Sequence, residues 1–255
     1  MTQFAGKSAV ILGASSSGGI GEAIARAFAA QGASVTVSGR KLAPLKALAN
    51  DISGTAVACD ITDEAQIVEL FKAAKNAYGK VDIAVNAAGI NMPAPISALS
   101  RDALQTMCDI QFIGPVLFIK QAAEAMDEGG SIISLSSVTA ELTGPNLGAY
   151  AGTKAAIDKV VKVAAVEYGP KNIRVNSLSP SLTSTPMTAK VFETPSMLKA
   201  FEKETPIGRC VTVEDVAFAA LYLADARCVA TGDNIRVSGG AHLRRLPTYA
   251  EMMGQ

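Results

Sequence analysis

KSAVILGASSSGGIG, residues 7–21, is the stretch from which the fold is read. Residues 7–13 form an apolar run of strand length, and residues 14–21 are built mostly of serine and glycine. From residue 22 to 31 the periodicity turns helical, with Ala23, Ile24, Ala27 and Phe28 at helical spacing. A strand, a glycine-rich turn and a helix, in that order, make a cradle for phosphate. Glycines let the backbone come close to a pyrophosphate, and the helix N-terminus offers amide donors and the positive end of its dipole. Gly13, Ser15, Ser16, Ser17, Gly19 and Ile20 are the residues placed to line such a cradle. A glycine-rich loop alone can be only a tight turn; its position after the first strand gives it weight.

The next strand, residues 34–38, ends at Gly39-Arg40-Lys41. An acidic residue at this strand end would hold a ribose 2′-hydroxyl, whereas a cationic one suits a 2′-phosphate. Here Gly39 and Arg40 stand instead of an acid, so the expectation is NADP(H) in preference to NAD(H), with Arg40 on the phosphate. The competing reading is an ordinary surface arginine. Residues 55–59 make a third strand closed by Asp60-Ile61, residues 64–78 an amphipathic helix, and residues 81–85 a fourth strand running into Asn86-Ala87-Ala88-Gly89. A helical region spans residues 101–126, with Gly114-Pro115 placed to bend it. Strands follow at residues 131–135, 173–178 and 234–237, and helices at residues 150–168 and 212–223. Residues 179–204 read as irregular and proline-containing, and a substrate lid is expected around residues 181–208. The chain ends in a short basic tail. Strands alternate with helices, without repeat or linker, which predicts a single α/β domain over 1–255 with a doubly wound, mainly parallel sheet of about seven strands and helices on both faces.

Composition narrows the function. Across 255 residues the hydrophobic content is 49% and the formal net charge +0, enough for a large core and without the basic excess of a nucleic-acid surface. No apolar run reaches the ~18–20 residues of a membrane helix. Met1 to Phe4 lead straight into a strand-like run, leaving no room for a signal peptide. Cys59, Cys108, Cys210 and Cys228 lack C-x-x-C spacing and His242 is the only histidine, so no metal site is expected and a cytoplasmic setting is the default.

The chemistry is carried by Ser137 and by Tyr150-Ala151-Gly152-Thr153-Lys154. Tyr150 and Lys154 are four residues apart, hence one turn apart on one helix face. A free phenol titrates near pH ~10, and an adjacent ammonium pulls that value down toward neutral. Ser137, at a strand end, can hold the oxygen of a carbonyl or alcohol beside the phenol. The set is a proton-transfer site for a carbonyl/alcohol pair, and the cradle at residues 13–21 points to a hydride donor.

With these marks in order, the chain resembles the short-chain dehydrogenase/reductase family over nearly its full length, a Rossmann-type fold. The resemblance implies that Ser137 and Tyr150 are catalytic, and that Lys154 binds the nicotinamide ribose and lowers the tyrosine pKa. It implies that Asp60 and Ile61 flank the adenine, that Asn86, Ala87 and Gly89 line the cofactor, and that the segment from Pro180 through Leu182 to Thr185 covers the nicotinamide. It also implies a homotetramer or homodimer, and the narrow polar stripe of residues 149–168 agrees. Three departures stand out: a glycine loop two residues longer than usual, Pro180 before Ser181 where glycine is common, and Gln111 where the family carries a relay asparagine. The reading is an NAD(P)(H)-dependent oxidoreductase interconverting a ketone and a secondary alcohol. An enoyl reductase, favoured by the long glycine loop, and a cofactor-binding regulatory protein without turnover are the alternatives. Residues 92–96, 140–147 and 187–201 are expected to shape a pocket for an apolar small molecule.

Overall fold

β1 (Ser8–Leu12) is buried at every position because helices cover both faces of the sheet it sits in. Its side chains alternate: Ala9 and Ile11 join one core, Val10 and Leu12 the other. Around it lie β2 (Ser34–Gly39), β3 (Thr55–Ala58), β4 (Ile83–Asn86), β5 (Gly130–Leu135), β6 (Ile173–Pro180) and β7 (Asn234–Val237). The sheet order is β3-β2-β1-β4-β5-β6-β7, and every pairing is parallel. The chain winds outward from β1 to β3, returns, and winds the other way from β4, so a switch point lies between β1 and β4. This is a computed structural model, and it describes residues 3–127 and 129–254. Met1 and Thr2, expected to lead into the first strand, lie outside the described residues.

α1 (Ile20–Ala30), α2 (Leu42–Asp51) and α9 (Val213–Ala224) press Ile24, Phe28, Leu45, Val216 and Leu223 onto one face. α3 (Glu64–Tyr78), α5 (Gly114–Ala125) and α6 (Gly148–Tyr168) press Ile67, Leu70, Phe71, Phe118, Ile157 and Val161 onto the other. Each such large apolar side chain contributes about 1.5–3 kcal/mol through burial.

Four expectations need correcting. The helix over residues 101–126 is not one bent rod: α4 (Arg101–Cys108) and α5 are joined by a π-helical turn, Asp109–Ile113. The irregularity therefore precedes Gly114-Pro115, which only restart the α-helix; Pro115 is harmless there, in the first turn. α2 carried no assignment in the sequence, being short and weakly amphipathic. Residues 179–204 are not irregular throughout: β6 runs to Pro180, and α7 (Ala189–Phe192) and α8 (Pro195–Lys203) follow. Finally, the basic tail folds into α10 (Tyr249–Met252) against α8, with the Ser196 hydroxyl donating to the Met252 carbonyl at 2.9 Å.

Candidate active site

The C-terminal ends of β1, β2, β4, β5 and β6 open into one cleft of about 540 Å³. Leu12, Gly13, Gly39, Leu135 and Pro180, the last residues of or next after these strands, all line it. Parallel strands place every such end on one edge of the sheet, which is why residues far apart in sequence meet here.

At the β1 end the glycine loop closes against the β4 loop and the start of α1. Gly13 has φ +94, and a Cβ there would come within 2.5 Å of the Ala87 backbone. The first loop and the β4 loop can close together only because Gly13 has no side chain. Gly19 is the N-cap of α1 and lines the cleft, and no side chain caps the helix, so its first amides are available to an anion. The lengthened part of the loop turns away. Ser17 and Gly18 are exposed and lie outside the lining, and the Gly18 amide donates to the Glu22 carboxylate at 2.8 Å. The insertion is thus held by the first turn of α1, while Ser15, Ser16, Gly19 and Ile20 remain in the cleft. These residues fit a pyrophosphate.

Arg40 is exposed at the rim beside Gly39, within the lining. Asp60 and Ile61 line the same end, and the Asp60 carboxylate accepts from the Thr62 amide at 3.0 Å and hydroxyl at 2.8 Å. Ala87 and Gly89 line the cleft, but Asn86 does not. It is buried, and its Oδ1 accepts from the Ala88 amide at 3.0 Å, shaping the turn from behind.

At the other end Ser137, Tyr150 and Lys154 come together in the lining with Pro180, Leu182 and Thr185. Lys154 is buried; its Nζ donates to the Leu135 carbonyl at 2.7 Å and stands 5.7 Å from the Tyr150 ring centre. The Ser137 hydroxyl accepts from the Thr139 amide and hydroxyl, at 3.2 and 2.9 Å, which leaves its own proton for a ligand oxygen. The expected lowering of the tyrosine pKa is not what the protein's own groups produce. Burial raises the phenol, with the Ser137 hydroxyl opposing, and burial brings the Lys154 ammonium down to about 8, opposed by Asp158. Desolvation disfavours the charged form of each group.

Gln111 sits in the π-helical turn, buried, and lines the cleft. Its Nε2 donates to Thr153 Oγ1 at 3.0 Å, and its Oε1 accepts from the Ile90 amide at 3.3 Å. The side chain therefore ties the β4 loop to α6, one residue from Lys154. Of the pocket stretches expected from sequence, Leu147, Met187, Val191 and Phe201 line the cleft, whereas residues 92–96 stand outside it. Ile90, Asn91 and Leu246 were not anticipated. Leu246 comes from the tail, and only the fold brings it over the loop before α6, where a Cβ on Gly144 would meet its Cδ1 at 2.7 Å.

A family profile described as enoyl-(acyl carrier protein) reductase matches residues 13–242. The chain belongs to the short-chain dehydrogenase/reductase family. It superimposes on a short-chain type dehydrogenase/reductase from Mycobacterium ulcerans with a TM-score of 0.93 at 32% identity, covering 98% of this chain and 95% of that one. A gluconate 5-dehydrogenase from Burkholderia cenocepacia, solved with NADP and tartrate, matches with a TM-score of 0.88 at 27% identity over 94% and 97% of the two chains. In sequence the chain is 34% identical over 249 residues to 3beta-hydroxysteroid dehydrogenase 1 of Eggerthella lenta, covering 93% of this chain and 94% of that one. With the family comes NAD(P)-dependent oxidoreductase chemistry.

Proposed function

We propose that this protein interconverts an uncharged, largely apolar ketone and its secondary alcohol, using NADP(H) in preference to NAD(H). One observation carries the substrate class. Of all the residues lining the cleft only Arg40, Asp60 and Lys154 are charged, and the first two lie at the cradle end. The lining carries Ile90, Val138, Leu147, Met187, Val191, Phe201 and Leu246, alongside the uncharged polar residues Asn91, Thr139, Ser181, Thr183 and Thr188. A carboxylate or a phosphate would lose its hydration there with only the buried Lys154 to face it.

The nicotinamide, when bound, supplies or accepts the hydride. The protein's residues then do the rest. Ser137 donates a hydrogen bond to the carbonyl oxygen, Tyr150 transfers a proton to that oxygen in reduction, and Lys154 provides the positive charge that favours the phenolate. Gly13, Ser15, Ser16, Gly19 and Ile20 hold the pyrophosphate, and Arg40 the 2′-phosphate. Asp60, Ile61, Ala87 and Gly89 line the cofactor, with Asn86 shaping the turn that carries the last two and Ser17 outside the cradle. Pro180, Leu182 and Thr185 belong to the lid over residues 181–208, and the work is cytoplasmic.

A panel of apolar ketones and alcohols, assayed with both nicotinamide cofactors and with a crotonyl thioester as competitor, tests the reading. Turnover of the ketones is expected. Preferential reduction of the thioester would favour the enoyl reductase suggested by the glycine loop. Tyr150→Phe keeps the ring and loses the transferable proton, so kcat should fall roughly 10²–10⁴-fold while cofactor binding survives. Activity within a few-fold of wild type would remove Tyr150 from this role.

A further inference from the structure

Tyr150, Lys154 and Asp158 recur every four residues along α6, so one stripe of the helix carries a phenol, an ammonium and a carboxylate in turn. The carboxylate is not a solvated surface group. Its Oδ2 accepts from Ser136 Oγ at 2.9 Å and from Asn234 Nδ2 at 2.7 Å. Ser136 follows β5 and precedes Ser137, and Asn234 opens β7, so the carboxylate is clamped between two strand ends. Its Oδ1 is closed to solvent, and burial pushes the carboxyl up from its ordinary value, opposed by the Ser177 and Ser136 hydroxyls and by the charge of Lys154. A carboxylate so enclosed needs a facing positive charge. The charged groups around it are Lys154 on its own helix, and Glu141 and Arg236 from the neighbouring segments. Arg236 and Glu141 pair with each other, Nε to Oε2 at 3.0 Å, and so largely cancel. Lys154 remains as the counter-charge, and its own Nζ hydrogen bond goes to a neutral carbonyl.

We propose that Asp158 is a positioning residue for the reaction: clamped by Ser136 and Asn234, it holds a negative charge one turn behind Lys154 and keeps that ammonium charged and directed at Tyr150. The proposal rests on the oxidoreductase reading above, and its electrostatic half can be read without turnover. The same Ser136 contact anchors the backbone that presents Ser137. Asp158 stands outside the cleft lining and acts through its neighbours.

The sign of the effect follows from charge. A nearby carboxylate lets a lysine keep its proton to higher pH, so deleting the charge makes the ammonium deprotonate earlier as pH rises. Asp158→Asn keeps the shape and removes the charge. Lys154 would be titrated by NMR on lysine-labelled protein, alongside the pH profile of kcat and a thermal melt. In Asp158→Asn the Lys154 midpoint and the alkaline limb of kcat should both fall by about one pH unit, and Asp158→Glu should restore both. A lowered melting temperature with both midpoints unmoved means a merely structural residue and overturns the proposal. Should the variant fail to fold, the wild type decides: the Lys154 resonance should carry a second inflection at the pH where the Asp158 carboxyl itself titrates. Its absence overturns the proposal as well. A shifted Lys154 in a protein that turns over no ketone would support the coupling and count against the oxidoreductase reading.

Discussion

Glutamine at position 111, in place of asparagine, adds one methylene while keeping the same amide donors and acceptor. The π-helical turn aims that longer side chain at two partners at once, the Ile90 amide and the Thr153 hydroxyl. The Thr153 hydroxyl in turn donates to the Tyr150 carbonyl at 2.9 Å, so the amide braces the first turn of α6. A Cβ on Gly89 would meet Gln111 Oε1 at 3.0 Å and Lys154 Nζ at 3.7 Å, which puts amide and ammonium around one backbone position. Gln111→Leu leaves the half-buried Ile90 amide without its partner, at a cost of about 1–3 kcal/mol, and removes the amide contact to Thr153, whose hydroxyl still donates to the Tyr150 carbonyl. Its kcat should fall at least about tenfold, equivalent to ~1.4 kcal/mol of barrier, while the melt shows a folded protein. Gln111→Asn can keep only one of the two contacts and should fall between the two. Wild-type kinetics in the leucine variant would leave Gln111 without a part in turnover. That Tyr150 and Lys154 share one helix face was legible because a four-residue spacing is local. The brace was not, because Thr153 and Ile90 become neighbours of residue 111 only through the packing of three elements.

At the scale of elements, the proposed preference for NADP(H) turns on the end of β2. Gly39 closes β2 and lies against the glycine loop, where a Cβ would meet Ser15 Oγ at 2.8 Å. An acid at this position would therefore push on the cradle as well as repel a 2′-phosphate. Arg40, one residue on, is exposed and free to swing over the ribose. Arg40→Ala should lose about 1.5–3 kcal/mol of NADPH affinity, roughly 10–150-fold in Kd, with NADH affinity nearly unchanged. Titration of each reduced cofactor by fluorescence checks this, and a wild type that already favours NADH sinks it. Gly39→Asp added to Arg40→Ala should then reverse the preference, at a cost in overall affinity from the displaced Ser15. The first strand, loop and helix were readable because each obeys its own periodicity. α2, α7, α8 and α10 were not. Short helices are marginal in isolation and form here because other segments cover them, as α10 covers α8. The π-helical turn likewise leaves no periodicity to find, since five residues are too few to establish one.

For the whole molecule, the question is what covers the apolar residues left outside. α6 turns Ile157, Val161, Ala164 and Ala165 to the sheet and leaves Val163 and Val166 outward, Val166 at 77% exposure. Leu104 on α4 and Ile113 in the π-helical turn are exposed as well, and both segments pack beside α6. On the opposite face of the sheet α9 exposes Phe218 at 74% and Tyr222 at 54%, and Val229 just beyond it reaches 90%. A single exposed apolar side chain needs no explanation, but two clusters at helical spacing do. Were each patch to pair with its own copy across a two-fold axis, two perpendicular two-folds would close a tetramer. We therefore expect a homotetramer, with a homodimer as the result if only one patch is used. Light scattering at micromolar concentration should return four times the chain mass for the wild type. Val166→Glu should break the α6 contact and Phe218→Glu the α9 contact, each leaving a dimer, and the double variant should be a folded monomer. A wild type that scatters as a monomer would mean that both patches stay wet, and that α6 is apolar only because of its place against the sheet.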